Sequence, residues 1–166
     1  FPLIHSVPCM GFIFEENVRY QNLRHGMVQQ YGLTPADILH IKEGGDYIAP
    51  EGQRIPNADL ALPKRPPLRY AYCCDTKYDP SLISIVEGVD LLCMECTFDN
   101  GRASLAEEKC HCTASQAARL AQQAGVKQLM LTHFSARYKD VSVLEEEARS
   151  LFENTFSAAD GLVVEL

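Results

Sequence analysis

The chain has 166 residues, 46% of them hydrophobic, which is enough for one domain with a sizeable core. Its formal net charge of −7 argues against a general nucleic-acid coat protein, although a locally positive groove is compatible with that charge. No apolar segment approaches the length that spans a bilayer, and residues 1 to 10 lack the basic start and long apolar middle of a secretory signal. We therefore expect neither a membrane nor DNA as a partner.

The first part of the chain predicts a strand followed by a long excursion from the core. The predicted elements are a strand over Gly11 to Glu15, a helix over Asn22 to Tyr31 and a helix over Pro35 to about Lys42. Gly32 closes the first helix, and Thr34 is the N-cap of the second. Residues 46 to 67 are proline-rich and loop-like, with room for short extended pieces. We interpret residues 17 to 67 as an arm-like insertion.

The rest of the chain predicts strands that alternate with helices. The predicted strands are Arg69 to Cys74, Val89 to Met94, Lys127 to Thr132 and Gly161 to Glu165. The predicted helices are Pro80 to about Glu87 with Asp79 as N-cap, Ala103 to Lys109, Ala114 to Ala124 and Ser142 to Phe152. Thr113 and Gln116 make a capping box for the third of these helices. This alternation predicts an α/β layered domain with partly parallel strands.

Cysteine usage indicates the compartment. Seven cysteines without a signal peptide favour reduced thiols and a cytoplasmic location over a disulfide framework. The pairs Cys93/Cys96 and Cys110/Cys112 superficially suggest a zinc ribbon. However, the first pair lies on a predicted strand, where residues three apart face opposite sides, and the second pair lacks the usual knuckle spacing. Buried free thiols are the better interpretation.

Ionisable residues stand at the ends of three predicted strands. Asp75 follows one strand, Glu95 a second and His133 a third, while His111 precedes a helix N-terminus. Because ligand sites in α/β sheets form outside the carboxyl ends of the strands, these residues are candidates for one site. The alternatives are that Glu95 caps a loop, that His133 caps a strand and that His111 is an exposed residue at a helix start.

These residue types suit metal-assisted hydrolysis. Asp75 and His133 are ligands of the kind that Zn²⁺ accepts, and His5 would supply a second imidazole unless it is a core or loop histidine. Two metal ions bridged by the two oxygens of Asp75 could clamp the attacking and leaving oxygens of a phosphodiester. His111 near Glu95 resembles an oriented acid–base pair that could protonate a leaving oxygen.

Polar residues beside these candidates suit an anionic substrate. A hydroxyl at Ser135, a fixed cation at Arg137 and a phenol at Tyr138 follow His133. Such groups can hold a phosphate, and we assign Thr76, next to Asp75, to substrate binding with them. The alternative for Arg137 is a surface salt bridge.

Five motifs resemble, in order and spacing, those of ribonuclease Z, the tRNA 3′-processing endonuclease family of the metallo-β-lactamase superfamily. They are Cys74-Asp75-Thr76, Met94-Glu95-Cys96-Thr97, His111-Cys112-Thr113, Leu131 to Tyr138, and Ala158-Ala159-Asp160-Gly161. The resemblance covers nearly the whole chain and matches the C-terminal half of a family member. It implies the four-layer αββα metallo-β-lactamase fold, of which residues 1 to 166 would be the C-terminal half.

The resemblance also implies an activity. It is the cleavage of precursor tRNA at the 3′ side of the discriminator base by a water molecule activated at a dinuclear zinc site. By resemblance, His5 would ligate the first zinc ion, Asp75 would bridge, and His133 would ligate the second. His111 and Glu95 would assist departure of the leaving group, with Ser135 and Arg137 shaping the phosphate pocket. The arm, at about residues 16 to 44, would grip the tRNA elbow, usually from the partner subunit of a homodimer.

Departures from the family pattern bear on these expectations. The His-x-His-x-Asp-His motif that supplies most metal ligands would lie before Phe1, so we expect the chain alone to hold an incomplete site. Met94, Cys112 and Cys74 stand where the family commonly has His, Ser and Gly. Two alternatives stay open: another phosphodiesterase of the same fold acting on small esters, and a non-catalytic RNA-binding or dimerisation fragment.

Overall fold

The computed structural model describes residues 1 to 166 and divides them into two compact units. The first consists of Phe1–Glu15 with Leu68–Leu166, and the second of Glu16–Pro67. The second unit therefore has nearly the extent of the segment that the sequence predicts as an insertion. No helix in the structure has the length and apolar character needed to cross a membrane.

Nine strands and seven helices follow one another along the chain. The strands are β1 (Pro2–Leu3), β2 (Cys9–Met10), β3 (Phe12–Glu15), β4 (Tyr47–Ile48), β5 (Arg54–Ile55), β6 (Arg69–Cys73), β7 (Leu91–Glu95), β8 (Gln128–Thr132) and β9 (Thr155–Ser157). The helices are α1 (Met27–Tyr31), α2 (Pro35–Lys42), α3 (Asn57–Leu60), α4 (Leu82–Ile85), α5 (Ala103–Lys109), α6 (Ala114–Ala124) and α7 (Ser142–Arg149).

The first unit is built on a five-stranded sheet of order β3-β6-β7-β8-β9. Strand β3 runs antiparallel to β6, and the other four strands are parallel to one another. The predicted α/β architecture with partly parallel strands is therefore confirmed. Because β6, β7 and β8 are parallel neighbours, their carboxyl ends lie side by side at one edge of the sheet.

Helix α6 supplies much of the core of this unit. Its alanines at 117, 118 and 121 and Leu120 are fully buried, and they belong to the same apolar cluster as Leu92, Leu129 and Leu131 of the sheet. Small alanine side chains allow a helix to approach a sheet closely. The predicted capping box is confirmed, because Thr113 accepts from the Gln116 amide and the Gln116 side chain accepts from the Thr113 amide. Helix α6 thus holds the residues just before it at a fixed place beside the sheet.

The second unit has a small core of its own. Its buried apolar residues are Leu33, Ile41, Tyr47, Ala49, Ile55, Leu60 and Ala61. The Asn57 side chain ties the start of α3 to the end of α2 and the loop after it by donating to the carbonyls of Ile41 and Gly45, at 2.7 and 3.0 Å. Thr34 caps α2 in a capping box with Asp37, as the sequence predicts for Thr34.

The predicted strand over Gly161 to Glu165 is wrong. The last strand is β9, whose residues pair in parallel with Leu129, Met130 and Leu131 of β8, whereas residues 161 to 165 have no regular structure and are mostly exposed. The run Leu162-Val163-Val164 has the apolar, β-branched character of a strand. Because β9 already occupies the sheet edge beside β8, that run has no partner there.

Three predicted helices are shorter than expected, and one of them, α7, ends at Arg149 rather than Phe152. Helix α4 begins at Leu82 rather than Pro80, because the Asp79 carboxylate accepts from the Ser81 amide and hydroxyl in a turn that precedes the helix. Helix α1 begins at Met27 rather than Asn22, because Gly26 has a left-handed backbone with φ of 82°.

Candidate metal centre

Four ionisable side chains converge at the carboxyl edge of the sheet. Glu95 ends β7, His133 directly follows β8, Asp75 lies two residues after β6, and His111 lies three residues before α6. One ligand atom from each of the four lies within 4.8 Å of the others. The convergence that the strand ends predict is therefore present in the structure.

The backbone bends sharply at two of these residues. Asp75 and His133 have φ of 60° and 58°, in the left-handed region that side-chain-bearing residues rarely adopt. Each such residue costs on the order of 1 kcal/mol or more and persists only where its surroundings hold it. The turns direct both side chains into one site, where the Asp75 carboxylate and the His133 ring approach to 3.1 Å.

Glu95 is the buried anchor of the site. Its side chain has no exposed surface, and its two oxygens accept four hydrogen bonds. The donors are the amides of Thr76 and Cys112 at 2.6 and 2.9 Å, the Thr97 hydroxyl at 2.8 Å, and His111 Nδ1 at 3.0 Å. Because four donors nearly exhaust the lone pairs of a carboxylate, Glu95 is suited to orienting its neighbours rather than to binding a metal ion itself.

The Thr97 hydroxyl sets the tautomer of His133. It lies 2.8 Å from Glu95 Oε2 and 3.0 Å from His133 Nδ1. A hydroxyl has one proton, and the carboxylate is the stronger acceptor, so Thr97 donates to Glu95 and accepts from His133 Nδ1–H. This arrangement leaves the lone pair of His133 on Nε2, which points towards Asp75.

The contact between His133 and Asp75 calls for a positive charge. A lone pair on Nε2 at 3.1 Å from a carboxylate oxygen is repulsive unless a proton or a metal ion lies at that place. Both side chains are about two-fifths exposed, so the contact is open to a ligand from solvent. The two side chains are therefore suited to bind one cation together.

Three imidazole rings lie in a row across the site. The ring of His111 is 5.1 Å from the ring of His133 on one side and 5.1 Å from the ring of His5 on the other. His111 donates from Nδ1 to Glu95, and His5 Nδ1 lies 3.1 Å from the Cys110 carbonyl. In both rings Nε2 is therefore the nitrogen left for a ligand. His5 lies outside the set of four, and its role as a metal ligand stays a prediction.

The donor set fits zinc. Asp75 supplies a carboxylate oxygen and His133 an imidazole nitrogen, and both are ligands that zinc accepts. Glu95, through the Thr97 hydroxyl, supplies the outer hydrogen bonds that commonly orient a zinc-binding histidine. A complete zinc site would need ligands beyond these two.

The predicted substrate-binding residues lie in different settings. Arg137 is exposed and donates from Nε to the Ser135 hydroxyl at 3.0 Å. Thr76 is fully buried, and its hydroxyl is engaged with the Lys77 carbonyl and the Ile4 amide. The substrate-binding roles stay predictions, and for Thr76 the geometry points instead to support of the loop that carries Asp75.

The Tyr138 hydroxyl faces into the protein. It donates to the Asp99 carboxylate at 2.6 Å and accepts from the Asp99 amide at 2.9 Å. Burial, followed by the hydrogen bond to Asp99, raises the pKa of Tyr138 above its usual value. A role of this hydroxyl in contacting substrate likewise stays a prediction.

Sequence reasoning missed Thr97 and Asp99 as parts of the site. The position of Thr97 could have been predicted to belong to the site, because it is a hydroxyl residue two positions after Glu95, just beyond the strand end. Nothing in the sequence indicates Asp99, because its partner Tyr138 is 39 residues away in another loop.

The cysteines lie outside the metal centre. All seven are free, and those at 73, 93, 96 and 112 are buried. The prediction of buried free thiols is therefore confirmed for Cys93, Cys96 and Cys112, whereas Cys110 is only partly buried. Burial raises the pKa of Cys73 to about 12 and that of Cys93 to about 11, so both thiols stay protonated at neutral pH.

Comparison with known proteins finds relatives that are named ribonuclease Z. No protein-family profile matches the sequence. The chain is 45% identical to ribonuclease Z of Bacteroides fragilis over 165 residues, which are 99% of this chain and 54% of that protein. It is 44% identical to ribonuclease Z of Porphyromonas gingivalis over 165 residues, again 99% and 54% of the two chains. The chain therefore spans about half the length of the curated relatives it matches.

Solved structures resemble the fold. The metallo-beta-lactamase fold protein YhfI from Bacillus subtilis superposes with a TM-score of 0.55 and 30% identity, over 59% of this chain and 40% of that one. A long form RNase Z from yeast superposes with a TM-score of 0.51 and 27% identity, over 58% of this chain and 13% of that one.

Proposed function

Because this chain belongs to the ribonuclease Z family and has the α/β architecture of the metallo-β-lactamase fold, we propose that it is the C-terminal half of a tRNA-processing endoribonuclease. The substrate is precursor tRNA, cut at the 3′ side of the discriminator base. The observation that carries the proposal is the cluster of Asp75, His111 and His133 around the buried Glu95.

The proposed cofactor is zinc, two ions in each active site. Asp75 would bridge them, His133 would bind one, and His5 the other, with the remaining ligands coming from sequence outside residues 1 to 166. When bound, zinc would polarise the scissile phosphodiester and lower the pKa of an attacking water molecule. The outward-facing Nε2 of His133 and the neighbouring Asp75 carboxylate support this assignment.

His111 is the proposed general acid. Its Nδ1 proton is held by Glu95, and Nε2 is therefore the atom that can carry a proton to the leaving 3′-oxygen. The buried Glu95 carboxylate keeps the ring in one orientation. Protonation of that oxygen yields the 3′-hydroxyl of the mature tRNA.

Arg137 is the proposed phosphate-binding cation. Its Nε donates to Ser135, and its guanidinium carbon lies 5.0 Å above the Phe98 ring. The terminal nitrogens make no hydrogen bond or ion pair within the chain, so they are free to bind two phosphate oxygens in a bidentate pair.

The second unit is the proposed tRNA-gripping arm. Within it, Arg19 and Lys64 line a cavity of about 570 Å³ together with Tyr20, several side-chain amides and the ion pair of Arg65 with Glu16. Cations beside an aromatic ring suit an RNA backbone and its bases. We propose a homodimer in which each arm serves the partner's site. The free thiols of the chain support a reducing location such as the cytoplasm.

The decisive test is cleavage of a precursor tRNA by the full-length natural polypeptide, with Asp75→Ala as the variant. We expect a loss of activity of at least about 10³-fold together with a loss of bound zinc, because the variant removes a shared ligand. Glu153→Ala, which removes an exposed carboxylate of the first unit, is the control. Undiminished cleavage by Asp75→Ala would refute the proposal. Cleavage of a chromogenic phosphodiester but not of precursor tRNA would show that the protein is another phosphodiesterase of this fold.

A further inference from the structure

Two loops at the carboxyl edge of the sheet are joined residue by residue. The loop after β7 and the loop after β8 are linked first by the Cys96 amide, which donates to the Thr132 carbonyl at 2.7 Å. The Ser135 amide then donates to the Thr97 carbonyl at 3.2 Å. Further out, Arg137 lies over Phe98, and Tyr138 bonds to Asp99. Residues 96 to 99 thus contact, in the same order, Thr132, Ser135, Arg137 and Tyr138.

Tyr138 forms the outermost link, and its hydroxyl is fully used. It donates to Asp99 Oδ2 at 2.6 Å and accepts from the Asp99 amide at 2.9 Å, with Arg102 Nη1 at 3.4 Å. Arg102 also pairs with the Asp99 carboxylate and lies 5.7 Å from the centre of the Tyr138 ring. A phenol has one proton and two acceptor positions, so this hydroxyl has little capacity left for a substrate.

The neighbouring Arg137 is differently placed. It is exposed, its Nε is bonded to Ser135, and the Phe98 ring beneath it is almost completely buried. A flexible arginine on the surface would sample many rotamers, and binding a phosphate would then require ordering it at an entropic cost. The adjacent hydrogen bond between Tyr138 and Asp99 fixes the backbone on which Arg137 is carried.

We infer that Tyr138 is a positioning residue, whose hydrogen bonds to Asp99 hold the Arg137 guanidinium against Phe98 with its terminal nitrogens directed to a phosphate of the substrate. The inference rests on the proposed function, since it gives Arg137 a phosphodiester to bind. It replaces direct substrate contact by Tyr138 with an action through Arg137. Asp99 belongs to the same device, because it supplies both partners of the phenol.

The test is a double-mutant cycle on precursor tRNA cleavage by the full-length polypeptide, with Tyr138→Phe and Arg137→Ala. We expect Tyr138→Phe to lower kcat/KM about ten-fold and Arg137→Ala about a hundred-fold, because misplacing a binding group costs less than removing it. Since Tyr138 acts through Arg137, the double variant should be about as impaired as Arg137→Ala alone. A loss equal to the product of the two single losses would overturn the inference.

A second readout does not depend on nuclease activity. Nuclear magnetic resonance of the Arg137 Nε–H group should show a lower order parameter in Tyr138→Phe than in the wild type. Tyr47→Phe is the matched control, because it removes a phenol that bonds to the Tyr31 carbonyl in the second unit. Unchanged Arg137 order in Tyr138→Phe would overturn the inference even in a protein that cleaves no tRNA. If the wild-type protein cleaves no tRNA and Tyr138→Phe still lowers the order parameter of Arg137, the positioning role is supported and the proposed function is refuted.

Discussion

Replacing Glu95 by glutamine tests the claim that this carboxylate anchors the site. The substitution keeps the size of the side chain but converts one acceptor oxygen into a donor. One side-chain orientation sets the new NH₂ group against the Thr76 amide, and the other sets it against the Cys112 amide. Each orientation therefore leaves a buried backbone N–H without an acceptor.

The magnitude follows from these contacts. A hydrogen bond to a charged group contributes roughly 1.5–3 kcal/mol, and an orphaned buried donor costs about 1–3 kcal/mol. Since the remaining bonds also lose their charged acceptor, we expect Glu95→Gln to lower the free energy of unfolding by roughly 3–5 kcal/mol. That is a large part of the total stability of a typical domain, which is about 5–15 kcal/mol.

The assay is urea unfolding of the full-length polypeptide followed by circular dichroism. A metal chelator is present throughout, so that bound zinc does not contribute to the measured stability. Glu107→Gln is the control, because it also removes a glutamate charge but at an exposed ion pair with Lys77, where a much smaller change is expected. A Glu95→Gln protein within about 1 kcal/mol of the wild type would refute the anchoring role of this carboxylate.

Two further predictions concern stability alone. Cys110 is the C-cap of α5 and has a left-handed backbone with φ of 58°. Because glycine adopts this conformation without strain, Cys110→Gly should stabilise the protein by about 1 kcal/mol and raise the midpoint of thermal unfolding. A lower midpoint would contradict this account. The pKa of Asp90 is lowered from 3.8, and its hydrogen bond with Lys127 is the largest cause. The unfolded state therefore binds a proton at Asp90 more tightly than the folded state does. Wild-type stability should therefore fall as the pH drops below about 4, and this fall should be smaller in Asp90→Asn when urea midpoints are compared across pH; equal slopes would refute the assignment.

Much of the fold was readable from the sequence because its signals are local. The N-cap residues Thr34 and Thr113 predict where α2 and α6 begin, because each lies directly before the helix that it caps. Strands β6, β7 and β8 show as apolar runs, and the ionisable residues at their ends come to one edge because parallel neighbours end together. The sequence alone therefore placed Asp75, Glu95 and His133 in one site.

Only the tertiary structure decided what depends on contacts between distant segments. The place beside β8 can be taken by a single segment, and that segment is Thr155–Ser157 (β9) rather than the apolar run at residues 161 to 165. Tyr138 was assigned to substrate from its neighbours in sequence, yet its phenol is bonded to Asp99 in another loop. The four donors around Glu95 likewise come from three segments, at Thr76, Thr97 and His111-Cys112, which come together only when the sheet and α6 have packed.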